Sequence, residues 1–546
     1  MTTQRQEPPE ERDGVTPPVS EKADGKAQQS TWVDTLGRVF ERWVPDALTT
    51  AIGLMVVVVV LSMALGRDRV VLHVGVDEDI DRARHLLLSH SEVETVELND
   101  DFIAVTLVEG VDDYDFVESL LIENGLIAKS LIEMNAFMGT IHAYYKGLWN
   151  FLSFTMQMTL ILVLSLIVSS TPVFKNVVVW LSRFPRTRNE VVALAALFLG
   201  VLAYVNWGLG LALGPIIAIH FCREAERKGI PVDFLFLLAV LAGAGSVWQF
   251  GLSATAPLVM ATPGQQIVPN METMPIETTI WSVASIVHVV VFMFATIVAG
   301  CWLMPKRVRQ ISEFADAMKV ADMAGTSPEV VKTADTSLTP AKRLEQSSVV
   351  LLPLVVMLAA WLYFHFFEKG LGFTINMVNT SLLLAGIVLH RNVANFQHAL
   401  REAIKLSWPV VVLYHLYAGV AGLIQFTPVG EFIVSMVEPI STPYTFPLLV
   451  ASISTVVAIF IPTSGGQWAI QGSVTSSLAE AVGVTAQRGL LALSVGDHMG
   501  NLLTPFWAVV GASIARVDFR LLFGYRLIFA ALWFGIGVLC FTFLPC

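Results

Sequence analysis

Asn206-Trp-Gly-Leu-Gly-Leu211 interrupts an apolar run at 191–222, and Pro462-Thr-Ser-Gly-Gly-Gln-Trp468 interrupts a second run at 443–482. A helix that crosses a bilayer needs about 20 mostly apolar residues. Both runs are too long for one crossing, and both are broken in the middle. Backbone that leaves the helix at membrane depth persists only where protein or a water-filled cavity satisfies its polar groups. Whether each run is a simple span or a hairpin that returns to its own side decides the fold.

The other apolar segments set the frame for that decision. They fall at roughly 46–66, 149–170, 233–250, 279–304, 348–367, 374–390, 404–426, 488–511 and 521–544. Lys and Arg near span ends gather on the cytoplasmic side. The clusters are Arg38/Arg42, Lys175/Arg183/Arg186/Arg188, Arg223/Arg227/Lys228, Lys306/Arg307/Arg309, Arg391/Arg401/Lys405 and Arg516/Arg520/Arg526. All six face the cytoplasm only if 191–222 and 443–482 are re-entrant hairpins.

The chain then reads as an α-helical polytopic membrane protein of two inverted repeats, each with a re-entrant hairpin. Span 46–66 corresponds to 374–390, 149–170 to 404–426, hairpin 191–222 to 443–482, 233–278 to 488–515, and 279–304 to 521–544. Inverted repeats with discontinuous helices are the layout of many secondary carriers. The expected units are a disordered cytoplasmic tail at 1–31, a first span at 32–66, an external insertion at 67–135, and the rest of the first repeat at 140–304. A cytoplasmic loop at 305–347, a connector span at 348–367 and the second repeat at 374–546 complete the chain. The polar tail has no apolar core of its own and so does not read as a signal peptide.

Composition agrees with a membrane protein. Of 546 residues, 54% are hydrophobic and 14% charged, well below the charge content of soluble domains. Mean hydropathy is +0.65. The net charge of −11 is concentrated in one place. Residues 67–135 hold 17 acidic and 5 basic side chains, against 28 and 29 in the remainder. The acidity belongs to that module and does not point to nucleic acid. Its pattern reads strand, helix, two strands as a hairpin, helix, strand: a small α+β, ferredoxin-like βαββαβ insertion. Cys222, Cys301, Cys540 and Cys546 show no metal or disulfide spacing and read as packing residues.

Several residues at the breaks could carry chemistry. Ser464, Gly465, Gly466, Gln467 and Trp468 open a helix whose N–H groups and dipole suit a carboxylate. Asn206, Trp207, Gly208 and Gly210 hold the matching place in the first hairpin. Ser253, Thr255 and Thr262 lie in one further break, and Asp497, His498, Asn501 and Thr504 in its counterpart. Their oxygens could hold Na⁺ or shape a pocket, and Asp497 with His498 could relay a proton. Gln157 and His415 are lone polar residues on apolar helices, for which a packing hydrogen bond competes with a transport role. No hydrolase or nucleotide-binding motif stands in a usable context, so an enzyme is not expected. No metal site or cofactor is expected beyond a coupling ion, H⁺ or Na⁺.

These stretches resemble the bacterial short-chain fatty acid transporter family, of the acetoacetate and butyrate carrier type. The matching pieces are Leu148-Trp-Asn-Phe-Leu-Ser-Phe-Thr-Met-Gln-Met158, Val205-Asn-Trp-Gly-Leu-Gly210, Ser253-Ala-Thr-Ala-Pro-Leu258 and Ala261-Thr-Pro-Gly264. Further pieces are Thr374-Ile-Asn-Met-Val-Asn379, Ile461-Pro-Thr-Ser-Gly-Gly-Gln-Trp-Ala-Ile-Gln-Gly472 and Met499-Gly-Asn-Leu-Leu-Thr-Pro-Phe-Trp507. The resemblance implies uptake of short-chain fatty acids across the cytoplasmic (inner) membrane by elevator-type alternating access, driven by H⁺ or Na⁺. The insertion 67–135 departs from the short connection usual in that family. The expected partners are a small organic anion and the lipid bilayer, with a homodimer as the assembly to test. The N-terminus should be cytoplasmic and the insertion external. In this reading Ser464–Gln467 and Asn206–Gly210 bind the carboxylate, while Trp207 and Trp468 wall the alkyl tail. Two other readings are a carrier for dicarboxylates and a membrane sensor whose external domain binds a ligand. The hairpin tips contain no Lys or Arg, which speaks against a doubly charged substrate.

Overall fold

A computed structural model describes residues 47–65, 69–74, 77–91, 93–99, 102–107, scattered positions in 117–124, 128–134, 136–150, 152–263, 271–323, 339–405, 407–460 and 463–546. The expected tail and the first basic cluster lie outside the described residues.

Helix α1 (Ala47–Leu65) leads into strand β1 (Arg69–Val74), helix α2 (Asp77–Leu88) and strands β2 (Val93–Asn99), β3 (Phe102–Leu107) and β4 (Ala128–Met134). The four strands form one sheet in the order β2-β3-β1-β4, and every neighbouring pair is antiparallel. That is the strand order of a split βαββαβ unit. Ala83 and Leu87 on α2 are fully buried, as is Val105 of β3. Four-residue spacing on the helix and alternation on the strands put these apolar residues on facing surfaces. The second expected helix, at 112–124, lies mostly outside the described residues.

The helical part begins with α3 (Ala136–Asn150) and α4 (Leu152–Ser169). The sequence reading places this span at 149–170. The structure starts it at 136, because polar His142, Tyr144, Tyr145 and Lys146 lower the hydropathy of a helix that is nevertheless packed. Then come α5 (Pro172–Ser182), α6 (Arg188–Val205), α7 (Trp207–Arg227), α8 (Phe234–Gly245), α9 (Thr255–Ala261) and α10 (Val283–Trp302). Two short helices follow, α11 (Ala315–Met323) and α12 (Pro340–Glu345), then α13 (Leu352–Tyr363) and α14 (Ile375–His390). The remainder is α15 (Val393–Ile404), α16 (Trp408–Gln425), α17 (Val429–Val437), α18 (Phe446–Phe460), α19 (Ser464–Ala481), α20 (Ala486–Leu503), α21 (Pro505–Ala515) and α22 (Arg520–Phe543). Among the described residues, seven helical segments are long and apolar enough to cross a membrane. This is a multi-pass membrane protein. The amphipathic helices α5, α15 and α17 were not expected from hydropathy.

The expected breaks are present, but the last is shorter than expected: α20 runs on through Asp497, His498 and Asn501, and only Thr504 stands at the break. α6 ends and α7 begins at Asn206, and α18 and α19 are separate helices, with Thr463 as the N-cap of α19. The segment after α8 tightens into a 3₁₀ turn at Ser246–Phe250 before α9, and α20 gives way to α21 at Thr504. α3 lies against α16, α4 against α14, and α20 against both α18 and α22. The α3–α16 crossing depends on two glycines. A methyl group on Gly422 would lie 2.3 Å from the Ala143 carbonyl oxygen, and one on Gly147 would lie 2.4 Å from that of Ala418. Small residues at such crossings let backbones approach closely. All four cysteines are free.

Candidate functional site

The two helix pairs meet around residues 249–255. Gly251 allows that segment to touch the first break: Leu252 N–H donates to the Tyr204 carbonyl at 2.7 Å, and a methyl group on Gly251 would lie 2.2 Å from the same oxygen. Ser253 Oγ then accepts from Trp207 N–H at 2.8 Å, and Thr255 Oγ1 accepts from Gly465 N–H at 3.0 Å. Asn206 caps its own helix by accepting from Leu209 N–H at 3.0 Å, and it also receives the Ser165 hydroxyl at 2.6 Å. Several N–H groups that the sequence offers to a carboxylate are thus taken by side chains. Four expected residues, Ser253, Thr255, Asn206 and Trp207, serve to knit the breaks together.

Gln249 ties this knot to α20. Its Nε2 reaches Ser464 Oγ at 3.0 Å, the Ser494 carbonyl at 3.1 Å and Asp497 Oδ2 at 2.9 Å. Asp497 Oδ2 also accepts from Asn501 Nδ2 at 3.0 Å. Asp497 is fully buried, and among the described residues its Oδ1 makes no hydrogen bond; Gln249 Oε1 and Asn501 Oδ1 also lack partners there. Among the described residues no cationic side chain lies within ion-pair distance of Asp497.

A cavity of about 500 Å³ opens beside this cluster. Its polar wall includes Thr255, Thr463, Ser464, His498, Asn501 and Arg526. Its apolar wall includes Trp207, Trp248, Trp507, Leu162, Leu241 and Leu502. Gly210, Leu211, Gly214 and Pro215 of α7 form one side. Pro215, inside α7, has no N–H to donate to the Leu211 carbonyl. Tyr414 and Thr463 share a hydrogen bond, and the Tyr414 ring stacks on Phe154 at 5.7 Å between centroids.

Other expected residues lie elsewhere. Trp468 is fully buried but does not line the cavity; Trp248 and Trp507, each 6.2 Å from Trp207 between ring centroids, form the aromatic wall instead. Gln467 is turned away, donating to the Ser454 carbonyl and to Gln471. Gly208, Gly465 and Gly466 are packing positions, where an added methyl group would lie 2.4–2.8 Å from Ser165, Phe154 and Thr463 respectively. Thr262 links α9 to α14 by accepting from Ile375 N–H at 3.2 Å. Thr504 is buried at the α20–α21 junction. Gln157 bonds Asn376 across helices, at 2.9 Å. His415 bonds its own helix at the Val411 carbonyl and lies edge-on to Trp149, apart from the cavity.

Arg526 overturns a sequence expectation. It reads as part of a cytoplasmic basic cluster with Arg516 and Arg520, yet it is 4% exposed and lines the cavity. Its spacing within α22 turns it inward, toward α20. Gln249 and Trp248 were also missed, because they lie in what reads as an unbroken apolar span. The 3₁₀ turn at 246–250, which sequence gave no sign of, is what aims them.

A family model described as short chain fatty acid transporter matches residues 106–544. The match begins within β3, so the acidic segment is covered only in part. The chain is 28% identical over 398 residues to a protein of Escherichia coli (strain K12), covering 72% of this chain and 88% of that relative. It is 27% identical over 408 residues to one of Haemophilus influenzae, covering 73% and 89%. Both relatives carry the name short-chain fatty acid transporter as a provisional one. In fold it is similar to the YdaH transporter of Alcanivorax borkumensis, whose topology is described as unusual (TM-score 0.53, 14% identity, 91% of this chain and 98% of that one). It is equally similar to MtrF of Neisseria gonorrhoeae, placed in a class of antimetabolite efflux pumps (TM-score 0.54, 15% identity, 94% and 98%).

Proposed function

Because the chain belongs to the short-chain fatty acid transporter family, we propose that it is a secondary active carrier moving short monocarboxylates such as butyrate and acetoacetate across the cytoplasmic membrane. The observation that carries this reading is the cavity where the two helix breaks meet, apolar on one wall and polar on the other. Its volume lies within the range of small-molecule pockets, about 300–1,000 Å³. A hydrophobic wall separates acids differing by one methylene by only roughly 1–3 kcal/mol. A range of short chain lengths is therefore accepted.

α6–α7 and α18–α19 act as oppositely facing hairpins, each returning to the side it entered, although α6 and α7 are each long and apolar enough to cross the membrane. Basic Arg188 and Arg227 stand at the outer ends of the first pair, whereas the ends of the second carry no Lys or Arg. The cavity wall runs along α7 toward Arg223 and along α21 toward Arg516, and it includes Lys405. All three belong to clusters assigned to the cytoplasm, so the cavity faces inward in this state.

Transport is coupled to H⁺ or Na⁺ at Asp497. A buried carboxylate without a cation costs several kcal/mol, and a proton or Na⁺ removes that cost. The test is uptake of labelled butyrate into proteoliposomes of the purified protein, with pH and Na⁺ gradients imposed separately. One of the two gradients should drive accumulation above equilibration. Accumulation under neither contradicts a secondary active carrier.

A further inference from the structure

We propose that Arg526 is the fixed cation that receives the carboxylate of the transported acid. The inference rests on the carrier reading and assigns the anion-binding group within it.

Arg526 stands in the second turn of α22, where it is 4% exposed. Its Nη2 reaches the Asn501 carbonyl only at 3.5 Å, and its Nε and Nη1 make no hydrogen bond among the described residues. Two other cations show what a settled one looks like. Arg309 pairs with Asp233 at 2.9 Å and donates to the Tyr525 hydroxyl at 3.0 Å. Lys405, which also lines the cavity, pairs with Glu402 at 2.7 Å. That hydrogen bond holds the Glu402 carboxyl below its usual range. Arg526 has no acidic partner within ion-pair distance among the described residues. Asp497 does not serve, since no cationic side chain lies within ion-pair distance of it among the described residues.

An arginine stays charged at any physiological pH, and its planar fork matches the two oxygens of a carboxylate. A buried, uncompensated guanidinium is costly until an anion arrives. Lining the cavity with Arg526 are Leu502, Leu522, Trp248 and Trp507, which accept a short alkyl tail. His498 has no hydrogen-bond partner among the described residues and lies edge-on to Trp248 at 5.6 Å, so it closes the wall beside the head group. One guanidinium with one apolar wall fits a single carboxylate on a short tail.

The test measures equilibrium binding of labelled butyrate to purified full-length protein, with unlabelled butyrate or butyramide as competitor. Butyramide keeps the tail and lacks the charge. Wild type should prefer butyrate strongly. Arg526→Gln should weaken butyrate binding at least about 30-fold, the equivalent of losing one partner of a buried charge pair. The same change should bring the butyrate-to-butyramide preference close to one. That ratio does not depend on the fraction of folded protein. Arg526→Lys should recover part of the preference, as a point charge without the fork. A preference unchanged in Arg526→Gln overturns the assignment while leaving the carrier intact. If wild type binds no butyrate, the carrier reading fails and takes this assignment with it.

Discussion

Asp497 is a buried acid held, among the described residues, by two amides and no cation, with one oxygen left over. The hydrogen bonds position the carboxylate but do not neutralise it; in the proposed coupling, a moving proton or Na⁺ does. Asp497→Asn keeps the side-chain volume and removes the charge. In proteoliposomes this variant should lose stimulation by the coupling gradient while still exchanging butyrate at equal concentrations. Retained stimulation would remove Asp497 from the coupling step. At this scale the sequence was legible where a residue interrupts a helix. Asn206, Ser253, Thr255 and Ser464 are drawn into one cluster, because breaks at membrane depth must be satisfied by one another, and Asp497 joins it from within α20. It was not legible where geometry turns a side chain inside an unbroken pattern. Gln249 depends on a 3₁₀ turn, and Arg526 sits within a run of basic residues that looks interfacial.

The helices show the same division. Hydropathy located both helix pairs and most single spans, and β-alternation located the strands of the acidic segment. It missed most of α3, whose polar residues disguise a helix packed tightly on α16. The glycines at that crossing make a direct check. Gly422→Leu forces bulk against the Ala143 carbonyl, where even a methyl group would lie 2.3 Å away. Overpacking costs typically 1–3 kcal/mol, so the variant should show a clearly lower unfolding temperature in detergent. Gly370→Ala is the comparison for a glycine outside any crossing; nothing lies within 4 Å of its would-be methyl group, although its φ of 62° adds a small backbone strain. Equal melting of Gly422→Leu and wild type would show that α3 and α16 are not closely apposed in the protein.

For the whole molecule, the cavity wall joins one buried guanidinium to a cluster holding one buried carboxylate, with Asn501 touching both. Adding a monocarboxylate leaves one excess negative charge, which the co-transported cation of the proposed mechanism would balance. This arithmetic links substrate selection at Arg526 to coupling at Asp497. It also explains why helix breaks alone, without side chains to cap them and a charge to face, would not make a carrier. The two halves contribute unequally: residues 207–255 supply much of the apolar wall, and residues 463–526 supply both charges. The most direct measurement is counterflow. Proteoliposomes loaded with unlabelled butyrate and diluted into labelled butyrate, with no ion gradient, should accumulate label transiently. The rate should fall gradually, not abruptly, as acetate, valerate or hexanoate replaces butyrate inside. No accumulation of label above that in protein-free liposomes, with any of these acids, would contradict the account.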